Sequence, residues 1–512
     1  MRRSDRTIGK SLGGRRTVLV VLALLVLVGG VGVVIWSGGG PPSADNGGSV
    51  PRTESASTEA PVPDSAIAVD SCSALGDIDD DLSATYVLTR DLNCAASRTW
   101  NGGDGLLPIG GNGAQPAFSG TFDGRGHTIA NLHIHNRSAN YVGLFGRIGV
   151  DDAMDPAYPR SGCVTDLHLA NVSISGSRLA ATGGIAGDLA RGTITNVTVS
   201  GTITNRGNTG GIAATIQTNA TVRHALSRVT IVNDGVGIVG GIAGRNDGGT
   251  IRTSGATGRL VGSNHVHLGG VAGSQANGSV LSDSYSTATI ETTGPDSIAG
   301  GLVARSWPPA TVTNCYAAGN VSGDTIVGGL IAAGAADCRG CFWDVTATGV
   351  TRSVVGTGLD TTAMHQRGTF SSAGWDFEDT WAMDGYPRLQ WSQGETDPLT
   401  VRTRTAASPV TLDASDTGST LQVEPGRTVE IELASNPSTG YEWNYTDPRP
   451  VARVLADRFV RTETPGLGSP GLRLVRLEVR ESGTFRMVYR RPWSDELPER
   501  VFIVHFTVVG GH

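Results

Sequence analysis

Gly241-Ile-Ala-Gly-Arg-Asn-Asp-Gly-Gly-Thr-Ile-Arg-Thr253 joins a glycine, two small apolar residues, a second glycine and a short β-prone run. Its opening recurs, with Ala at times replacing the second glycine, as Gly143-Leu-Phe-Gly146, Gly184-Ile-Ala-Gly187, Gly211-Ile-Ala-Ala214, Gly270-Val-Ala-Gly273, Gly301-Leu-Val-Ala304 and Gly329-Leu-Ile-Ala332. Successive first glycines lie 41, 27, 30, 29, 31 and 28 residues apart, the longest interval holding an insertion around Asp151 to Arg160. Short β runs such as Thr193-Ile-Thr-Asn-Val-Thr-Val199 and Thr311-Val-Thr-Asn-Cys-Tyr316 follow the units, with no helical pattern between them. A fixed period built from short strands is the mark of a solenoid whose coils stack strand on strand. The glycine is expected where a coil corner needs positive φ or where backbones approach closely.

Composition agrees with this reading. The chain has 512 residues, of which 73 are glycine and only 17 % are charged, and no Gly-X-Y period makes it collagen-like. Net charge is -7, Lys10 is the only lysine, and no basic cluster occurs beyond residue 16, which excludes a nucleic-acid partner. Arg2, Arg3, Arg6, Lys10, Arg15 and Arg16 precede an uncharged, Val/Leu-dominated stretch from Val18 to Trp36. A helix of about 20 such residues spans the hydrocarbon core, and basic flanks stay inside, so the expected anchor has its C-terminus outside. Residues from Ser37 are rich in Gly, Pro, Ser and Thr and read as a tether. The expected organisation is a basic tail over 1–16, a transmembrane anchor over 17–36, a disordered linker over 37–70, the solenoid over 71–395, a second linker over 396–407 and a further domain over 408–512.

All six cysteines lie beyond the anchor, in an oxidising compartment that favours disulfides. Cys72 and Cys94 bracket the first strand region and form one expected pair. Aligning Thr311-Val-Thr-Asn-Cys315-Tyr with Asp337-Cys-Arg-Gly-Cys341-Phe puts Cys315 and Cys341 at equivalent points of adjacent coils, about 4.8 Å apart, and makes them the second. Cys163 and Cys338 stay unassigned. Cys338-Arg-Gly-Cys341 lacks the second CxxC or histidine pair of a zinc site. Asp123, His127, Asp151, Asp152 and Asp155 are polar candidates for polysaccharide chemistry, but coil corners collect such residues anyway. His265 and His267 straddle a strand face and invite a metal, yet no third ligand recurs beside them. The expectation for the solenoid is a scaffold, or an adhesive face for cell-wall or host glycans, with no enzyme activity.

The repeat region, with its lead-in Phe118-Ser-Gly-Thr-Phe-Asp-Gly-Arg-Gly-His-Thr-Ile129 and closing Gly385-Tyr-Pro-Arg-Leu-Gln-Trp391, resembles the GLUG repeats of bacterial surface proteins. After Trp391 the glycine period stops. Val429-Glu-Ile-Glu-Leu433, Leu472 to Val479, Phe485-Arg-Met-Val-Tyr489 and Val501 to Val508 alternate at period two, which means half-buried strands and an immunoglobulin-like β-sandwich. The whole is therefore expected to be all-β: a right-handed β-solenoid followed by the sandwich, behind an N-terminal transmembrane helix.

Three turns of the sandwich combine backbone-restricting and aromatic residues: Asn436-Pro-Ser-Thr-Gly-Tyr-Glu-Trp443, Pro465-Gly-Leu-Gly-Ser-Pro-Gly471 and Arg490-Arg-Pro-Trp-Ser494. Each alone is an ordinary turn, and Trp443 and Trp493 alone could fill a core. In this order and spacing they resemble the chagasin-type inhibitors of papain-family cysteine proteases. Asn436, Pro437, Thr439, Gly440, Tyr441 and Trp443 match the family's first loop, with Ser438 in place of a threonine. Gly468, Ser469, Pro470 and Gly471 stand where the family has a more glycine-rich loop, and Arg491, Pro492 and Trp493 match the last. The resemblance implies a three-loop wedge that occludes a papain-like cleft reversibly, with Thr439 beside the protease's catalytic pair, Trp493 on aromatic surface and no cofactor. The competing reading is a surface adhesin with an accessory sandwich.

Overall fold

A computed structural model of the chain describes residues 65–111, 116–136, 138–150, 160–177, 179–392, 410–413, 419–435, 440–445, 448–461, 471–493 and 500–508. The expected anchor Val18–Trp36 and the insertion residues Asp151, Asp152 and Asp155 lie outside the described residues. Among the described residues no helix is long and apolar enough to cross a membrane. The tether expected over 37–70 gives way earlier than its boundary: Ile67–Val69 already forms a strand paired with Thr85–Leu88, and Val69 is buried in the core of the first coil.

The repeat unit folds as expected, into coils of parallel strands. Gly192–Asn205 lies between Gly162–Gly176 and Ala220–Asn233, with Ile194 level with Val164 on one side and Val222 on the other. Ile251, Leu281 and Val312 continue that column, all of it fully buried. Two further sheets, each seven strands deep, complete the coils, and no described helix lies between Gly143 and Gly329.

The glycines settle which of their two possible roles applies. A Cβ added at Gly211 would stand 2.0 Å from the carbonyl oxygen of Gly241, one at Gly241 2.2 Å from that of Gly270, and one at Gly270 2.1 Å from that of Gly301. None of these glycines has positive φ; the left-handed corners belong instead to residues such as Asn196, Asp283 and Asn314, at 51°, 46° and 52°. Close stacking of backbones is therefore the reason for the period. Gly241→Val is expected to destabilise the solenoid by about 1–3 kcal/mol, read from its thermal transition. An unchanged transition would show that the coils can spread at no cost.

Cys72 and Cys94 form a disulfide with Cα atoms 5.6 Å apart. The register Thr311↔Asp337 and Tyr316↔Phe342 places Cys315 beside Cys341 as expected, but the two remain free thiols. In-register parallel neighbours keep their Cβ bonds side by side at strand spacing, whereas a disulfide needs Cβ atoms about 3.8 Å apart. Each thiol contacts backbone carbonyls instead, Cys315 at Thr313 and Cys341 at Val312 and Arg339. After the last glycine unit, Met364, Phe370, Trp375, Trp381 and Leu389 pack on Tyr285, Tyr316 and Phe342, an aromatic cap laid along the outside of the coils.

The sandwich has eight described strands: β1 (Val410–Asp413), β2 (Ser419–Val423), β3 (Thr428–Ser435), β4 (Glu442–Tyr445), β5 (Ala452–Arg461), β6 (Gly471–Val479), β7 (Gly483–Arg490) and β8 (Arg500–Val508). They form two sheets in the orders β1-β3-β6-β5 and β2-β8-β7-β4. The alternating residues Val429, Ile431 and Leu433 of one sheet face Phe485, Met487 and Tyr489 of the other across an apolar core.

Candidate functional site

Strand pairing fixes where the described ends of the three turns lie. Ser435, the last residue of β3, pairs with Gly471, the first of β6, so the first turn begins beside the end of the middle turn. Glu442 of β4 pairs with Arg490 of β7, which sets the end of the first turn against the start of the last. Asn436, Pro437, Ser438, Thr439, Gly468, Ser469 and Pro470 lie outside the described residues. Gly440, Tyr441, Trp443, Gly471, Arg491, Pro492 and Trp493 lie within them.

The described part is a layered stack. Trp443 is only 3 % exposed and its indole N–H donates to the carbonyl of Ala434 at 2.9 Å, so it lies in the core and contributes no surface. Tyr489 packs against it with ring centroids 5.2 Å apart, and Tyr441 stacks on Tyr489 at 5.5 Å. The guanidinium of Arg491 covers the outer face of Tyr441, 4.8 Å from the ring centroid, a cation–π contact that ties the last turn to the first. Gly440 has φ +79°, and a Cβ there would come within 3.1 Å of the Trp493 ring. Trp493 itself is 75 % exposed.

Two tryptophans that look alike in the motif thus divide: Trp443 fixes the base of the turns and Trp493 stands at their tip. Tyr489, which carries the stack, was not singled out from sequence; its signal was the inward position at the end of Phe485-Arg-Met-Val-Tyr489. Gly471 is closed in by the carbonyl of Val460 and the ring of Phe459, so it too is a position that excludes a side chain.

Elsewhere the polar candidates do not assemble. His265 sits in a corner at φ 54° beside Asp296, while His267 opens a strand, so the two do not share a strand face. Burial and the nearby Arg305 lower the pKa of His267 and keep it neutral. Asp123 accepts from the backbone N–H of Arg125 in a turn, and His127 faces Asp91. Among the described residues no three potential metal ligands converge.

Residues 422–508 match the family model described as chagasin family peptidase inhibitor I42. Chagasin of Trypanosoma cruzi is 31 % identical over 84 residues, which cover 15 % of this chain and 76 % of chagasin. The chain belongs to the chagasin family. Amoebiasin-2 of Entamoeba histolytica, another relative, is 30 % identical over 96 residues, 18 % of this chain and 78 % of that protein. A different likeness is to halomucin of Haloquadratum walsbyi, 37 % identical over 145 residues, which are 28 % of this chain and only 1 % of halomucin's length. Chagasin-family membership makes the sandwich an inhibitor domain and not an enzyme. The matched span from Gln422 to Val508 encloses every turn of the site described above.

Proposed function

We propose that the chain inhibits papain-type cysteine proteases by seating the end of its sandwich, with Asn436 to Gly440, Gly468 to Gly471 and Arg491 to Trp493, in the active-site cleft. The observation that carries this reading is Trp493: a large aromatic held outside the core at 75 % exposure, supported by Gly440 and flanked by Arg491 on Tyr441. Exposed Trp, Tyr and Arg are the residues that dominate interface energies. Their mutual stacking holds the turns in place before binding, so little conformational entropy is lost on insertion. Pro437 restricts φ near -65° in the first turn and serves the same end. Thr439 would face the catalytic cysteine and histidine without presenting a peptide bond for attack, so the block is reversible and uses no cofactor.

Papain whose cleft is filled by a covalent peptidyl inhibitor should lose binding to the full chain. Undiminished binding would place the contact away from the cleft and defeat this reading.

The proposal extends to location. Val18 to Trp36 would anchor the chain in the cell membrane, with the solenoid as a stalk that carries the inhibitor outward. Intact cells treated with a surface protease are expected to release nearly the whole mass beyond Trp36. A mature N-terminus found beyond Trp36 would remove the anchor from the account.

A further inference from the structure

The outer flank of the solenoid carries two residues that a solvated coil face does not explain. Val232 lies beside Val261 and one strand from Glu291, on the side opposite the inward Ile231 and Leu260, yet it is only 2 % exposed. Arg259, which opens the neighbouring strand, is 4 % exposed. Burying a valine on an outward face, and an arginine beside it, requires something to cover them. A guanidinium removed from water is costly unless its donors find partners.

What covers them is the sandwich. Along β7 the residues Phe485, Met487 and Tyr489 point into the sandwich core, so Thr484, Arg486 and Val488 point the other way. Val488 packs on Val232. Arg259 forms an ion pair with Glu291 on the adjacent coil and donates to the Thr484 hydroxyl at 2.7 Å. Arg486 is desolvated in its turn, which lowers its pKa, and the negative charge of Asp234 offsets part of that penalty. Each surface therefore supplies an arginine and an apolar residue that the other completes. Trp391, at the end of the solenoid, donates its indole N–H to the carbonyl of Thr253 at 3.0 Å and packs on His224, so the chain leaves the coils from a fixed point. Solenoid and sandwich accordingly fall within one structural unit, Pro61–His512.

We propose that the flank formed by Val232, Asp234, Arg259 and Glu291 is a docking surface whose partner is the chain's own inhibitor domain. The solenoid then holds the sandwich in a set orientation instead of carrying it on a free hinge. Because β7 runs directly into Arg491-Pro-Trp493, the clasp also sets the direction in which that turn is presented. The docking does not depend on what the turns bind, so it stands or falls separately from the inhibitory reading.

A double-mutant cycle in the full chain, followed by differential scanning calorimetry, tests it. Arg259→Ala and Thr484→Ala should each lower the sandwich transition by about 6 °C or more, as loss of one hydrogen bond to a charged group would in a domain of this size. The pair together should lower it little further, since residues 225 positions apart in sequence couple only if their surfaces touch. Val488→Arg, which places a charge against Val232, should uncouple the domain by an independent route and leave the solenoid transition in place. Strict additivity of Arg259→Ala and Thr484→Ala would overturn the proposal. So would a sandwich transition indifferent to both Arg259→Ala and Val488→Arg, whatever happens to the solenoid.

Discussion

Trp493→Ala is expected to weaken binding to papain about thirty-fold while leaving the melting temperature of the chain where it was. The ring is 75 % exposed and rests on the edge of the first turn at Gly440. Its removal leaves no cavity, so the stability change should stay within about 0.5 kcal/mol, the usual range for an exposed site. A tryptophan anchor in a protein interface is commonly worth about 2 kcal/mol or more, which is the thirty-fold quoted. Binding by titration calorimetry and unfolding by scanning calorimetry, on the same two proteins, check both halves. Unchanged affinity with a lowered transition would make Trp493 a packing residue and remove it from the site.

Trp443→Ala should do the reverse and do it more severely. The indole is buried among Tyr489 and the strands of both sheets, and its N–H serves the carbonyl of Ala434. Truncating a buried aromatic of this size costs about 3–5 kcal/mol, through lost transfer energy and the cavity left behind. The orphaned carbonyl adds to that cost. The sandwich transition should fall steeply or vanish, and inhibition should decline only because the folded fraction declines. A variant that keeps its transition and loses only affinity would show that Trp443 reaches the protease.

These two residues mark the boundary of what the sequence discloses. Both sit in aromatic turn motifs with neighbouring Pro or Gly, and nothing local distinguishes them. What separates them is strand pairing: Trp443 is opposite Tyr489 on the inward side of β4 and β7, while Trp493 lies past the end of that ladder. The solenoid was more legible, because each coil repeats the last and an alignment of units is already an alignment in space. That logic placed Cys315 level with Cys341 correctly and still produced a wrong bond, since side-by-side neighbours do not converge. It also left open whether the glycines served corners or close contacts, a question decided by the carbonyl of the next coil, which stands 2.0, 2.2 and 2.1 Å from the missing Cβ of Gly211, Gly241 and Gly270. The aromatic cap was illegible for the opposite reason: Met364 to Leu389 carries no period, and its partners Tyr285 and Tyr316 belong to coils far back in the chain.

The most direct measurement is steady-state hydrolysis of a small peptide substrate by papain in the presence of the full chain. Competitive and fully reversible inhibition is expected, with apparent KM rising and kcat unchanged, and with trypsin unaffected under the same conditions. Papain that remains fully active at micromolar concentrations of folded protein would contradict the assignment of the three-turn edge as an inhibitory wedge.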